Sequence, residues 1–109
     1  MQQVLFVDRM DPRDADQVGR IWAEHDRGGL PAEIGVTGRT VFHFRGLYVH
    51  LVEAANPLDG DLVNRIFAAR TDPGYVRVRK DLAEFLNPYS PHCKGLLDTQ
   101  ATEFYRWRA

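Results

Sequence analysis

Two rhythms of apolar residues divide the chain. Residues 3 to 10, QVLFVDRM, are rich in Val, Leu and Phe and stop at Asp11-Pro12, which predicts a first strand. From Asp14 to about Asp26 the period lengthens. Ala15, Val18, Ile21 or Trp22, and His25 recur every three to four residues, which predicts a helix with Asp14 placed to cap its start. Gly28-Gly29 ends that helix, and Leu30-Pro31 leads into the next element.

Residues 33 to 54, EIGVTGRTVFHFRGLYVHLVEA, form the longest β-like stretch, and Arg45-Gly46 interrupts it as the turn of a hairpin. Asn56-Pro57 punctuates the chain. Leu62, Ile66, Phe67 and Ala69 predict a second helix over residues 59 to 70, and Asp72-Pro73-Gly74 breaks it. A third helical segment follows at about 75 to 87, carrying Val78, Leu82, Phe85 and Leu86. Asn87 to Pro91 reads as a loop, and the closing ATEFYRWRA alternates large residues like a last strand. The order is βαββαβ, that of an α+β ferredoxin-like fold with a four-stranded antiparallel sheet and helices on one face.

At 109 residues the chain suits one domain with one core. Its formal net charge of -1, with acidic and basic residues interleaved, lacks the positive field of a protein that grips nucleic acid or an anionic membrane. The sole cysteine, Cys93, excludes an internal disulfide and fits a reducing compartment. The N-terminal apolar run is too short for a signal peptide or membrane span. The expected location is the cytoplasm.

With a two-residue turn at Arg45-Gly46, paired residues sum to 91. Phe42 and Phe44 then share an apolar face with Leu47, Val49 and Leu51. The opposite face carries Arg39, Val41, His43, Tyr48, His50 and Val52. Such a mixed surface either lines a cavity for a large flat ligand or is a solvated or dimer-facing sheet face, and the pattern leaves both readings open. His25-Asp26 closes the first helix, where the dipole favours a protonated imidazole. No phosphate-cradling glycine loop, nucleophile elbow or zinc helix motif is present, so no cofactor or metal is expected. His92 and Cys93 read as loop bystanders, although they adjoin in sequence.

Several segments resemble the tetracenomycin-type aromatic polyketide cyclases: LFVDRMDPRDADQV, AEHD, LPAEIGVTGRTVFHFRGLYVHLVEA, IFAARTDPGY, FLNPYSP and TEFYRW. They occur in the same order and cover almost the whole chain. The resemblance implies a dimeric α+β barrel, a single cyclase domain over residues 1–109 that acts as a homodimer, with transient contact to polyketide synthase components. The implied reaction is a late aldol-type ring closure with loss of water on a polycyclic aromatic polyketide.

Carried over residue by residue, the resemblance implies catalytic roles for His25, Asp26, Arg39 and His50. Tyr48, Val41, Val52 and His43 join them as substrate contacts on the hairpin geometry alone. The chemistry suits these types, because enolate formation needs a base, and the enolate and attacked carbonyl need a fixed charge and a proton. Two other classes remain open: a cofactor-independent monooxygenase of aromatic polyketides, and a non-enzymatic module that shelters an unstable intermediate.

Overall fold

The computed structural model describes residues 1–55 and 60–109. β1 (Gln2–Met10) turns at Pro12 through a 3-10 turn into α1 (Ala15–Asp26). Asp11, not Asp14, supplies the capping oxygen here, accepting from the Arg13 N–H at 3.0 Å. After Gly28-Gly29 the chain forms a short α2 (Leu30–Ile34), so residues 33 and 34 are helical where the sequence predicts strand. The reason is local: Pro31 starts a helix readily, and Gly35 ends it at a positive φ of 99° with its N–H on the Pro31 and Ala32 carbonyls.

β2 (Val36–Phe44) and β3 (Leu47–Ala54) then form the predicted hairpin. Arg45 and Gly46 both have positive φ, 49° and 84°, the conformation a two-residue hairpin turn requires. The pairing runs from Phe44–Leu47 to Gly38–Glu53 in the predicted register, and an irregularity between Val36 and Gly38 shifts it at the far end.

α3 (Leu62–Ala68) is shorter than the predicted 59–70 helix and gives way to a 3-10 turn at Ala69–Thr71. The start of that predicted helix and the Asn56-Pro57 break lie outside the described residues. α4 spans Pro73–Leu82, capped by Asp72 accepting from the Gly74 N–H at 2.8 Å. It stops well before residue 87, and Leu86–Asn87 are instead β4, paired with Met10 and Arg9 of β1. The fourth strand is therefore not the C-terminal ATEFYRWRA. Gln100 bridges to Phe6 and Ala101 donates to the Leu5 carbonyl, after which the chain has no regular structure. Phe104, Tyr105 and Trp107 are exposed there, and Arg106 and Arg108 both donate to the Met1 carbonyl.

The sheet order is β2-β3-β1-β4, the antiparallel ferredoxin-like arrangement. One face is covered by the helices. Val4, Phe6, Val52 and Ala54 pack with Ile34, Leu62 and Ile66, while Met10 and Tyr48 pack with Val18, Val78 and Leu82. This is the mixed hairpin face; the helices cover it apart from exposed His43, so it is not the solvated or dimer-facing sheet face that the sequence left open. The apolar face is the open one, with Phe42 and Phe44 exposed.

Candidate active site

Strand alternation projects Tyr48, His50 and Val52 from β3 toward the helices. Arg39 enters from β2 beside Val52, Phe6 and Asp8 from β1, and Trp22 and His25 from α1. Together with apolar side chains of α3 and α4 they line a cavity of about 60 Å³ between sheet and helices. By itself that admits an edge or a substituent of a ring, not a whole polycycle. A groove of about 450 Å³ between α1, α2 and α4 adjoins it, and His25 and Val78 line both.

Arg39 is held on three sides. Its Nε lies 3.0 Å from both carboxylate oxygens of Asp26, its Nη1 is 2.8 Å from His50 Nε2, and its Cζ sits 3.9 Å from the Trp22 ring centroid. The side chain is only 10% exposed. Ion pair, hydrogen bond and cation–π contact together fix the plane of a group that otherwise carries much rotamer freedom. Its remaining N–H groups are available to a ligand oxygen.

A guanidinium has donors only, so Arg39 donates and His50 Nε2 accepts. The His50 proton is therefore on Nδ1. Burial, with the Arg39 and Arg79 charges adding to it, lowers the His50 pKa to about 3. His50 is thus a neutral donor and a support for Arg39, not a base near neutral pKa. It packs among Trp22, Phe6 and Tyr48, with centroid distances of 4.7, 5.8 and 5.9 Å.

His25 lies edge-on to Trp22 at 5.5 Å, half-buried at the cavity mouth. Burial and then Arg39 lower its pKa, against Asp26 and Asp72. A neutral imidazole with no hydrogen-bond partner among the described residues can take a proton from a ligand. Trp22 Nε1 donates to the Tyr48 hydroxyl at 2.7 Å, and burial pushes the Tyr48 phenol up, so it stays protonated.

Of the residues singled out from the sequence, His25, Arg39, Tyr48, His50 and Val52 line the cavity, and Asp26 sits behind Arg39. Two do not reach it. Val41 packs against the Met10, Val18 and Tyr48 cluster, and His43, opposite Tyr48 on edge strand β2, is exposed. Sequence reasoning missed Trp22, Phe6, Asp8 and Arg79 as lining residues. For Asp8 a signal existed: it is the charged residue in phase with inward-facing Val4, Phe6 and Met10. Among the described residues no three His, Cys, Asp or Glu side chains converge as a metal site, and no helix is long and apolar enough to cross a membrane.

A largely apolar cavity with an immobilised cation and two neutral imidazoles, on a ferredoxin-like α+β scaffold, has the features of a small-molecule enzyme site. Comparison with known proteins narrows this. Residues 2–108 match the family described as polyketide synthesis cyclase. The chain is 42% identical to tetracenomycin F2 cyclase of Streptomyces glaucescens over 107 residues, covering 98% of this chain and 94% of that protein. It is 30% identical to polyketide synthase CurG of Streptomyces cyaneus, covering 98% and 97%. A solved structure of the Streptomyces glaucescens cyclase, described as a type II polyketide cyclase, superposes with a TM-score of 0.91 at 41% identity, covering 100% of this chain and 99% of that one. The chain belongs to the polyketide synthesis cyclase family. Fold and enzyme class are those that the sequence resemblance implies.

Proposed function

We propose that residues 1–109 are one cyclase domain that closes a late ring on a partly cyclised aromatic polyketide, in type II biosynthesis of an antibiotic or pigment. The reaction is an intramolecular aldol condensation followed by loss of water. The observation that carries this reading is the clamped Arg39, a fixed charge at the wall of an aromatic cavity with a neutral imidazole on each side.

His25 removes the proton α to a carbonyl, and the resulting carbon nucleophile attacks a second carbonyl carbon. Arg39, held in place by His50 and Asp26, stabilises the developing oxyanion in a site where burial strengthens the interaction. The oxyanion takes back the proton that His25 removed; His25 then accepts a second proton from the same α carbon and passes it to the departing hydroxyl, which leaves as water as the C=C bond forms and the ring becomes conjugated. Asp26 orients Arg39 and does not touch the substrate. Phe6, Trp22, Tyr48 and Val52 shape the bound conformer, and holding one near-attack geometry of a flexible polyketone supplies much of the selectivity. Val41 and His43 have no part in this reading, since neither lines the cavity.

The open sheet face, with Phe42 and Phe44 exposed, supports a homodimer closed through that face. Transient contact with synthase components and a cytoplasmic location complete the proposal. The test is anaerobic incubation with tetracenomycin F2, the compound in the relative's name, and with other partly cyclised polyphenols, followed by product mass. Catalytic loss of one water supports the cyclase. Turnover that needs oxygen and adds it identifies a monooxygenase, and binding without turnover identifies a sheltering module.

A further inference from the structure

Arg39 is not the only polar feature of the cavity wall. On β1, Val4, Phe6 and Met10 point inward and are at most 5% exposed, and Asp8, in phase with them, carries a carboxylate into the same wall. Arg79 of α4 lines the cavity with it, beside Leu82 and Leu86. Neither side chain makes a hydrogen bond, or an ion pair at contact distance, with any other described residue. Each does lie within electrostatic reach of the other.

Strand register gives the spacing. Asp8 pairs with Tyr48 on one side of β3, and Arg39 pairs with Val52 on the other. Two strand spacings across and four residues along put their backbones roughly 16 Å apart, diagonally over the cavity floor. Phe6 and His50 lie between. Beyond Asp8 and Arg79 the wall opens to a second groove of about 190 Å³, bordered by Asn87 and Lys94. The cavity thus has two polar poles separated by an aromatic and aliphatic floor.

On the same stretch of wall and within electrostatic reach of each other, the two unpartnered groups are an acceptor and a donor. A phenolic hydroxyl next to a ring ketone presents the complementary array: O–H to the Asp8 carboxylate, C=O to the Arg79 guanidinium. Burial raises the Asp8 pKa, chiefly by desolvation, with Arg79 opposing, which is the state of a carboxylate lacking compensating hydrogen bonds. A ligand hydroxyl would supply one.

The geometry points to Asp8 and Arg79 as a second recognition pole that binds the hydroxy-ketone edge of the substrate at the end remote from Arg39. This rests on the cyclase reading and deepens it: the substrate is an elongated polyphenol that crosses β3 diagonally, its oxygenated edge in the cavity and its rings extending into the two adjoining grooves, already aromatised at the Asp8 end and reacting at the Arg39 end. Asp8 and Arg79 are positioning residues for specificity, and the chemistry stays with Arg39, His25 and His50.

Tryptophan fluorescence tests it. The chain has two tryptophans, so in a Trp107→Phe background Trp22 in the cavity wall is the sole reporter. Quenching is measured with 1,8-dihydroxyanthraquinone and with unsubstituted anthraquinone. Asp8→Leu, which matches its inward-facing apolar neighbours, should weaken the dihydroxy compound about ten- to a hundredfold. Arg79→Met should weaken it roughly three- to tenfold, its guanidinium being more exposed. Both variants should bind unsubstituted anthraquinone within about twofold of the parent. In turnover, both should raise KM with kcat within about threefold, whereas Arg39→Ala lowers kcat. Equal binding of the dihydroxy compound by parent, Asp8→Leu and Arg79→Met overturns the second pole and leaves the cyclase reading standing. Failure of the parent to bind either ring system overturns the cavity reading, and the second pole with it.

Discussion

Arg39 Nη1 and His50 Nε2 are 2.8 Å apart, and this contact sets the tautomer of His50 and favours its neutral form. The pH dependence of stability follows. The folded-state pKa of His50, about 3, lies below the 6.5 of an exposed imidazole, so the unfolded chain binds more protons between those values. His50 therefore contributes its full stability above about pH 6.5 and loses it as pH falls toward 3, by up to about 1.4 kcal/mol per pH unit. Urea unfolding of the parent and His50→Gln at pH 7.5, 6.0 and 5.0 should show the parent losing stability faster as the buffer is acidified. Parallel losses in the two proteins would mean that His50 titrates normally.

Arg39→Ala should slow ring closure by roughly ten to a thousand fold, the range for loss of a charge-stabilising donor. Arg39→Lys should recover little, because an ammonium cannot meet Asp26, His50 and the Trp22 face at once. Misfolded or spontaneously cyclised products should rise in both. His92→Ala is a control, since His92 lines neither the cavity nor the grooves beside it. Chromatographic product ratios decide it, and an Arg39→Ala protein with parental rate and ratio would remove Arg39 from the chemistry.

Tyr48→Phe removes the acceptor of the Trp22 indole N–H in the interior and should cost about 1–3 kcal/mol. Because Tyr48 is only 1% exposed, the loss should appear as a lower urea midpoint with an unchanged slope. Trp22→Phe on top of it should cost less than the two single changes added, since donor and acceptor then leave together.

If the open sheet face closes a dimer, light scattering at micromolar concentration should return twice the 12.5 kDa chain mass. Charges placed there by Phe42→Glu with Phe44→Glu should give a folded monomer. A monomeric parent would show that the face is simply solvated.

Much of the architecture was legible because its signals are local. Arg45-Gly46 announced the turn, the turn set the register, and the register grouped Arg39, Tyr48, His50 and Val52. The fourth strand was not legible, because β4 is two residues long and Pro88, without an N–H, follows it at once. Conversely, TEFYRW has the alternation of a strand but pairs with no strand among the described residues, and its aromatics lie on the surface. In the site, the Arg39–Asp26 pair joins two elements whose packing no periodicity encodes. Which of two amphipathic sheet faces the helices would choose was also beyond the pattern: the more polar one is covered, because Arg39 and His50 satisfy each other there.

The turn at Arg45 and Gly46 has a consequence for how this enzyme can vary. β3 is anchored on its other edge by eight paired positions with β1, so Tyr48, His50 and Val52 keep their inward aim whatever happens in the hairpin. A single residue inserted between Phe44 and Leu47, if absorbed as a one-residue slip of β2, would swing Arg39 to the outer surface and send its neighbours Gly38 and Thr40 into the cavity wall. The Arg39 charge would leave the cavity with no residue substituted. Length at this loop is therefore under the same constraint as chemistry in the cavity, and a lengthened hairpin in a related chain would mark a different reaction or none.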